Sequence, residues 1–225
     1  MSYNVAIDGP AGAGKSTIAK QLAKQLQFIY VDTGAMYRAM ALYFLRAGVE
    51  AVDETGIQQL CQEVEISIQY QDGEQQVLLN GENVNHEIRK EEVGNMASAT
   101  SIYPAVRKKL VDLQQKLAAS ADVIMDGRAI GTCVLPNAEV KIYLTASSLT
   151  RAKRRYDELV NKGADCDLLE IQKDIEERDR RDMTREISPL KQAEDAVLVD
   201  SSELTIEQVI ETIHNIYLKK VEEQS

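Results

Sequence analysis

Apolar and polar positions alternate in several distinct ways along the 225-residue chain. Short apolar runs at 3–8 and 28–32 are typical of strands, and apolar residues at helical spacing follow each run. Further apolar runs at 122–128 and 140–146 are typical of strands buried inside a parallel sheet, and a short run at 196–200 precedes a closing helical pattern. This order predicts an α/β fold with a parallel sheet flanked by helices.

The middle of the chain has a different periodicity. Between Val64 and Tyr70 the apolar residues occupy every second position, and Asp72-Gly73 and Asn80-Gly81 predict tight turns around another short strand. We therefore expect an inserted small antiparallel β flap, followed by helices at about 90–119 with Pro104 opening the second. A charge-dense helical stretch lies at about 148–191.

Composition narrows the function classes. The formal net charge of −10 disfavours a partner that is a nucleic acid or an anionic membrane, but a local cationic pocket could still bind a small anion. The three cysteines and two histidines lack the paired spacing of a zinc site. The odd cysteine number and the absence of an N-terminal apolar run favour the cytoplasm. We expect a single domain over 1–225 that acts as a monomer on small molecules.

Residues 9–16 match the phosphate-loop pattern G-x-x-x-x-G-K-[ST] between a predicted strand and a predicted helix. Backbone N–H groups at such a helix N-terminus hold phosphate oxygens, and Lys15 would reach the β and γ phosphates of ATP. The Ser16 hydroxyl and Asp126, at the end of a predicted strand, would hold Mg²⁺, the aspartate through water. The predicted ATP-binding loop comprises Gly9, Pro10, Ala11, Gly12, Ala13, Gly14, Lys15, Ser16 and Thr17.

Two other motifs suggest different enzymes. The segment 161–165, Asn-Lys-Gly-Ala-Asp, resembles a guanine-reading motif of GTPases, but its aspartate comes one residue late and it lies within a charged helical stretch. Asp32-Thr33-Gly34 is the tripeptide of two-carboxylate proteases, but no second copy and no all-β pattern accompany it. Both alternatives are therefore disfavoured.

Arginines separate a kinase from other phosphate-loop proteins, because a kinase must neutralise two phosphate groups that repel each other. Arg38 and Arg128 follow glycine-containing turns at the predicted carboxyl ends of strands, where open α/β sheets bind ligands. Arg180 and Arg181 lie four residues after Glu176 and Glu177, which favours salt bridges on a solvated helix.

Taken together, the motifs resemble the bacterial cytidylate kinases, which are P-loop nucleoside monophosphate kinases, over nearly the whole chain. The resemblance rests on the phosphate loop, DTGAMYR (32–38), DGRAIGT (126–132), ERDRRDMTRE (177–186) with SPL (188–190), and the β insertion. It implies transfer of the γ-phosphoryl group of ATP to CMP or dCMP, with Mg²⁺ as cofactor. It also implies a nucleoside-monophosphate-binding flap at 61–102 and a lid at 148–190.

The resemblance further implies roles for individual residues. Those expected to take part directly in phosphoryl transfer are Lys15, Arg128 and Arg155. Arg38 and Arg128 would bind the acceptor α-phosphate, and Arg154 and Arg155 would belong to the lid over ATP. The cytosine contacts would come from Thr33, Ser98, Arg107 and Arg185. Arg178 and Asp182 would contact the sugar, and Tyr37 would complete the CMP site.

One position departs from the family pattern. Members resemble DGRDIGT, whereas this chain has Ala129 in place of the aspartate, which predicts weaker discrimination between bases. Two alternatives stay open: a P-loop kinase for another small metabolite, such as UMP or shikimate, and a nucleotide-binding module without turnover.

Overall fold

The structure is a computed structural model that describes residues 3–71 and 74–224. The chain separates into two compact units, one formed by residues up to Tyr30 together with those from Ala121 onward, the other by Val31–Ser120. In chain order the elements are β1 (Asn4–Asp8), α1 (Lys15–Leu26), β2 (Ile29–Asp32), α2 (Thr33–Arg46), α3 (Glu54–Glu63), β3 (Ile66–Gln71), β4 (Glu74–Leu79), β5 (Glu82–Asn83), a 3₁₀ turn (Glu87–Arg89), α4 (Glu91–Thr100), α5 (Pro104–Ser120), β6 (Val123–Gly127), a π-helical turn (Ile130–Val134), β7 (Val140–Thr145), α6 (Ser148–Asn161), α7 (Leu168–Thr184), β8 (Val197–Asp200) and α8 (Ile206–Gln224).

The first unit is built on a parallel five-stranded sheet with the strand order β2-β6-β1-β7-β8. In the register of this sheet, Asp8 at the end of β1 lies opposite Gly127 of β6 and Tyr143 of β7. The carboxyl ends of these three strands therefore meet at one edge, which is where open α/β sheets bind ligands. The predicted α/β class with a parallel sheet is confirmed.

The core of this unit lies between the sheet and the helices α1 and α8. Ile18 and Leu22 of α1 and Ile213 of α8 are buried against strand residues such as Ile7 and Ile142. Truncation of a fully buried leucine such as Leu22 to alanine typically costs about 2–5 kcal/mol. This core gives the loops at the sheet edge a rigid support.

The second unit contains the predicted antiparallel insertion. Strands β3, β4 and β5 form a three-stranded sheet, in which Ile68 pairs with Val77. Asn80 and Gly81 both have positive φ, as a tight Asn-Gly turn requires. The predicted Asp72-Gly73 turn lies outside the described residues. Helix α2 packs against α4 and β4.

Helix α3 was not predicted from the sequence. Its N-cap residue Asp53 accepts a hydrogen bond from the backbone N–H of Gly56 at 3.0 Å, but only Ile57 and Cys61 of the helix are buried. Two buried positions in 10 residues give too weak a periodic signal to predict a helix. No helix within 3–71 and 74–224 has both the length and the apolar character of a bilayer span.

Candidate active site

The phosphate loop occupies the sharp turn between β1 and α1. Gly9 has φ +153°, and a Cβ at this position would lie 1.9 Å from the Leu144 carbonyl oxygen of β7, so no other residue fits. Gly14, at φ +86°, is the N-cap of α1, and no side chain caps this helix end. The N-terminal amides of the 12-residue α1 are thus directed into the loop, as an anion site requires.

Lys15 is the first residue of α1 and its side chain is buried. Its Nζ donates a hydrogen bond to the Pro10 carbonyl oxygen at 2.8 Å. Burial lowers the pKa of the Lys15 ammonium to about 7, and Arg128 lowers it too, against the opposing effect of Asp126 and Asp8. A bound phosphate would supply the negative charge that this buried cation lacks.

Ser16 and Asp126, the two residues predicted to hold a metal ion, lie side by side. The Ser16 hydroxyl donates to Oδ2 of Asp126 at 2.9 Å, and the Tyr30 hydroxyl donates to Oδ1 at 2.8 Å. Hydroxyl and carboxylate oxygens are ligands that suit Mg²⁺. Among the described residues no group of three or more His, Cys, Asp or Glu could enclose a metal ion. The chemistry of these two oxygen donors fits an Mg²⁺ ion with phosphate and water as further ligands.

Arg128 follows β6 and is held by a carboxylate of α7. Its Nε donates to Oδ2 of Asp182 at 2.8 Å, and Nη1 of Arg185 lies 3.4 Å from Oδ1 of the same residue. Burial raises the pKa of the Asp182 carboxyl, but Arg128, Arg185 and Arg178 outweigh burial and hold the pKa below its usual value. Within 3–71 and 74–224 the Arg128 guanidinium makes no other hydrogen bond, so Nη1 and Nη2 are available to a ligand.

A buried ion pair between α6 and α7 was not predicted. Nη2 of Arg151 lies 2.6 Å from Oδ2 of Asp179, and the same guanidinium donates to the carbonyl oxygens of Ala11 in the phosphate loop and Ala146 after β7, each at 2.9 Å. Sequence spacing favours pairs four residues apart and gives no sign of a pair between two helices.

The prediction of salt bridges within α7 is wrong for Arg180 and Arg181. In the described part of the chain, neither Arg180 nor Arg181 forms an ion pair. Glu176 instead accepts hydrogen bonds from the Ser148 hydroxyl at 2.7 Å and the Gln172 amide at 2.9 Å. A contact with α6 thus replaces the local pair.

The two predicted lid arginines contact other protein groups. Arg154 donates from Nη2 to the Ser201 carbonyl oxygen at 2.7 Å. Arg155 forms an exposed pair with Glu158 at 2.9 Å. Exposed pairs of this kind contribute little to stability, so Arg155 can leave Glu158 for a ligand at small cost.

Five of the remaining predicted residues lie in the second unit, whereas Arg178 lies on α7 in the first. Thr33 is buried at the start of α2, whose N-cap Asp32 accepts a hydrogen bond from the Ala35 N–H at 2.9 Å. The guanidinium of Arg107 lies 5.8 Å from the centre of the Tyr37 ring, and its buried Nε has no hydrogen-bond partner among the described residues. A buried donor without a partner suits a site that receives a polar ligand.

Arg38 and Ser98 belong to the same unit. Arg38 is half-buried on α2, one residue after Tyr37. Ser98 is half-buried on α4, and its carbonyl oxygen accepts a hydrogen bond from the Ser101 hydroxyl at 3.0 Å. The structure therefore gathers Tyr37 and Arg107, and separately Lys15, Asp126, Arg128 and Asp182, within their own units.

Sequence reasoning also missed Asp8 and Tyr30. Asp8 is the last residue of β1, and its carboxylate accepts hydrogen bonds from two backbone N–H groups of the π-helical turn. A carboxylate immediately before the phosphate loop was the available signal. Tyr30 belongs to an apolar run that also fits a plain buried strand, so the run gave no sign of its bond to Asp126.

Comparisons with known proteins agree with these features. A profile of the cytidylate kinase family matches residues 5–219. The cytidylate kinase of Caldicellulosiruptor bescii is 50% identical over 221 residues, covering 98% of this chain and 98% of that protein. The cytidylate kinase of Lactobacillus johnsonii is 50% identical over 216 residues, covering 96% and 94%. A crystal structure of an uncharacterized protein from Eubacterium ventriosum has a TM-score of 0.53 at 11% identity, with 96% and 98% covered, a likeness of fold alone.

Proposed function

Because the chain belongs to the cytidylate kinase family, we propose that it transfers the γ-phosphoryl group of ATP to CMP or dCMP, giving ADP and CDP or dCDP. The observation that carries this proposal is the grouping of Lys15 and Arg128 with Asp126 and Asp182 at the carboxyl edge of the sheet. Lys15 and Arg128 are close enough for each charge to affect the other. Two cations placed in this way can neutralise two phosphate groups that repel each other.

On the donor side, the loop amides and Lys15 bind and orient the β and γ phosphates. The Lys15 ammonium is already desolvated, so its interaction with phosphate is strong and needs little rearrangement. Ser16 and Asp126 would hold Mg²⁺, which supplies positive charge to the phosphate oxygens. Burial of Lys15 thus prepares the donor site before ATP arrives.

On the acceptor side, Arg128 presents two guanidinium nitrogens while Asp182 holds the third. A planar fork of this kind matches the oxygens of a phosphate. An oxygen of the acceptor phosphate attacks the γ-phosphorus, and the bond from that phosphorus to the β–γ bridging oxygen breaks, so ADP leaves. No general base is required, because the acceptor phosphate is itself the nucleophile.

For the nucleoside, the proposed contacts with the base are Thr33, Ser98, Arg107 and Arg185. The unpartnered Nε of Arg107 supports this assignment within its unit, because a base acceptor would satisfy it. Arg178 and Asp182 would contact the sugar. We propose that the flap at 61–102 and the lid at 148–190 close over the two nucleotides and exclude water.

Ala129 bears on the choice of base. Cytosine carries an amino donor where uracil carries a carbonyl acceptor, so an aspartate at this position would attract the first and repel the second. The Ala129 methyl group, buried at 6% exposure, does neither. We therefore propose that this chain discriminates CMP from UMP less strongly than a relative with aspartate at this position.

The test is a coupled ADP-release assay with ATP, Mg²⁺ and a panel of acceptors comprising CMP, dCMP, UMP and shikimate. Turnover that depends on CMP or dCMP supports the proposal. Turnover with UMP or shikimate alone would make the chain a different P-loop kinase. ATP and CMP binding by calorimetry without turnover would make it a nucleotide-binding module, and either result would refute the proposal.

A further inference from the structure

Asp8 is a buried carboxylate with an unusual pair of partners. Its side chain accepts one hydrogen bond from the Ile130 N–H at Oδ1 and one from the Gly131 N–H at Oδ2, both at 2.7 Å. Asp8 is only 4% exposed and has no ion pair among the described residues. Burial raises the pKa of its carboxyl, and the two N–H donors together with the charges of Lys15 and Arg128 oppose that rise. Burial of a carboxylate costs folding free energy, and its hydrogen bonds must offset that cost.

The two N–H groups belong to the start of the π-helical turn Ile130–Val134. No side chain caps this turn from Ala129, whose carbonyl oxygen accepts the N–H groups of Cys133 at 3.0 Å and Val134 at 3.3 Å. The first amides of a helical turn have no partner within the turn itself. Asp8 therefore supplies from β1 the cap that the sequence of the turn does not provide.

Gly131 lies beside the Asp8 carboxylate and the Lys141 side chain. A Cβ at this position would lie 3.4 Å from Oδ2 of Asp8 and 3.2 Å from Cδ of Lys141. The contact with Oδ2 would be an ordinary van der Waals contact, and the flexible Lys141 side chain would have to shift by a few tenths of an ångström.

The position of this turn determines the position of Arg128. Arg128 lies two residues before Ile130, and its side chain is already fixed at Nε by Asp182. Asp8 fixes the backbone on the other side of Arg128 and is directly followed by Gly9, the first residue of the phosphate loop. One carboxylate therefore joins the backbone of the proposed donor site to the backbone that carries the proposed acceptor arginine.

We propose that Asp8 is a positioning residue, which holds Arg128 at the distance from the phosphate loop that in-line transfer needs. This inference rests on the proposed function, because it takes Arg128 as the acceptor-phosphate ligand. A misplacement of about 1 Å can lower the rate of a reaction about 100-fold. Loss of Asp8 should therefore affect CMP kinetics much more than ATP binding.

The first experiment compares the wild-type protein with Asp8→Asn, which is nearly isosteric but has one acceptor oxygen in place of two. We expect kcat/KM for CMP to fall about 10- to 100-fold while the KM for ATP changes less than about threefold. The matched control is Glu139→Gln, because Glu139 accepts the Asn4 N–H at 2.7 Å at the opposite end of β1. The control should keep kcat/KM for CMP within about twofold of wild type.

A double-mutant cycle with Arg128→Met separates positioning from general destabilisation. If Asp8 acts through Arg128, adding Asp8→Asn to Arg128→Met should lower kcat/KM for CMP by no more than about threefold. If the full single-variant loss recurs in the Arg128→Met background, the positioning role is refuted. Thermal unfolding of all four proteins shows whether the variants are folded at the assay temperature.

Amide hydrogen exchange and a second variant keep the test decisive. Exchange of the Ile130 and Gly131 amides should be faster in Asp8→Asn than in wild type, and unchanged exchange would overturn the inference. Absence of CMP turnover in the wild-type protein would instead refute the proposed function. The exchange measurement does not depend on turnover, so the two failures can be told apart. If Asp8→Asn does not fold, Asp8→Glu replaces it in the kinetic comparison and the cycle, because it keeps the charge but moves both acceptor oxygens relative to the Ile130 and Gly131 N–H groups. CMP kinetics unchanged by Asp8→Glu would refute the inference.

Discussion

Replacement of Arg128 by lysine tests the acceptor site most directly, because the charge is kept and only the geometry of the donors changes. In the structure Arg128 donates from Nε to Asp182 at 2.8 Å and keeps Nη1 and Nη2 for phosphate. A lysine ammonium that stays near Asp182 has no second nitrogen to present in parallel. The variant should therefore lose at least one hydrogen bond to a charged group.

The expected magnitude follows from that loss. Hydrogen bonds to charged groups contribute about 1.5–3 kcal/mol each, and we expect the loss of bidentate binding to phosphate to cost about 2–3 kcal/mol. We therefore expect kcat/KM for CMP to fall about 30- to 150-fold, since about 1.4 kcal/mol is a factor of ten. Arg181→Lys, on the exposed surface of α7, is the matched control and should stay within about twofold of wild type.

The assay is the coupled ADP-release measurement, with CMP varied at saturating ATP and then ATP varied at saturating CMP. A raised KM for ATP with unchanged CMP kinetics would place Arg128 at the donor and refute the reasoning. Equal losses in Arg128→Lys and Arg181→Lys would point to a general effect of the substitution on the protein.

Three further predictions concern the same site. Lys15→Ala should leave a folded protein by circular dichroism but lower kcat by about 100- to 1,000-fold, because the cation stabilises charge during transfer; near-normal kcat with ATP would contradict the loop assignment. Asp182→Asn should lower the free energy of unfolding by about 1.5–3 kcal/mol at pH 7. Because the folded-state pKa of Asp182 lies below the unfolded value of 3.8, the stability it adds is present above that pH and lost as pH falls through the folded pKa. Urea unfolding from pH 7 to pH 3 should therefore show the difference between the two proteins shrinking in acid, and a constant difference would exclude the ion pair as its cause. Ala129→Asp should raise kcat/KM for CMP by about 10- to 150-fold and also raise the CMP-to-UMP ratio; a ratio equal within about twofold in both proteins would remove position 129 from base recognition.

The parts of this fold that could be predicted are those where one chain segment determines its own structure. The apolar runs of β1 and β6 and the Asn80-Gly81 turn are examples, because periodicity and turn chemistry act over a few residues. The phosphate loop is another, since its glycines and Lys15 are consecutive in sequence. In each of these segments the local sequence alone predicts the structure.

The parts that could not be predicted depend on contacts between distant segments. Asp8 and Gly131 are 123 positions apart, and their hydrogen bond follows only from the parallel register of β1 and β6. Glu176 could pair with Arg180 by spacing, yet it contacts Ser148, because α6 packs against α7. Tertiary packing decides among partners that the sequence leaves equivalent.

The Arg151–Asp179 pair has a consequence for partial unfolding of the helical hairpin formed by α6 and α7. Arg151 lies in the first turn of α6 and also donates to the Ala11 carbonyl oxygen, so α6 and α7 cannot separate at this end without breaking a buried ion pair and a hydrogen bond to the phosphate loop. The connection at 162–167 carries no comparable restraint, and Gly163 there has φ +77°. The hairpin should therefore open from its tip, and a protease acting on the native protein should cut first within 162–167.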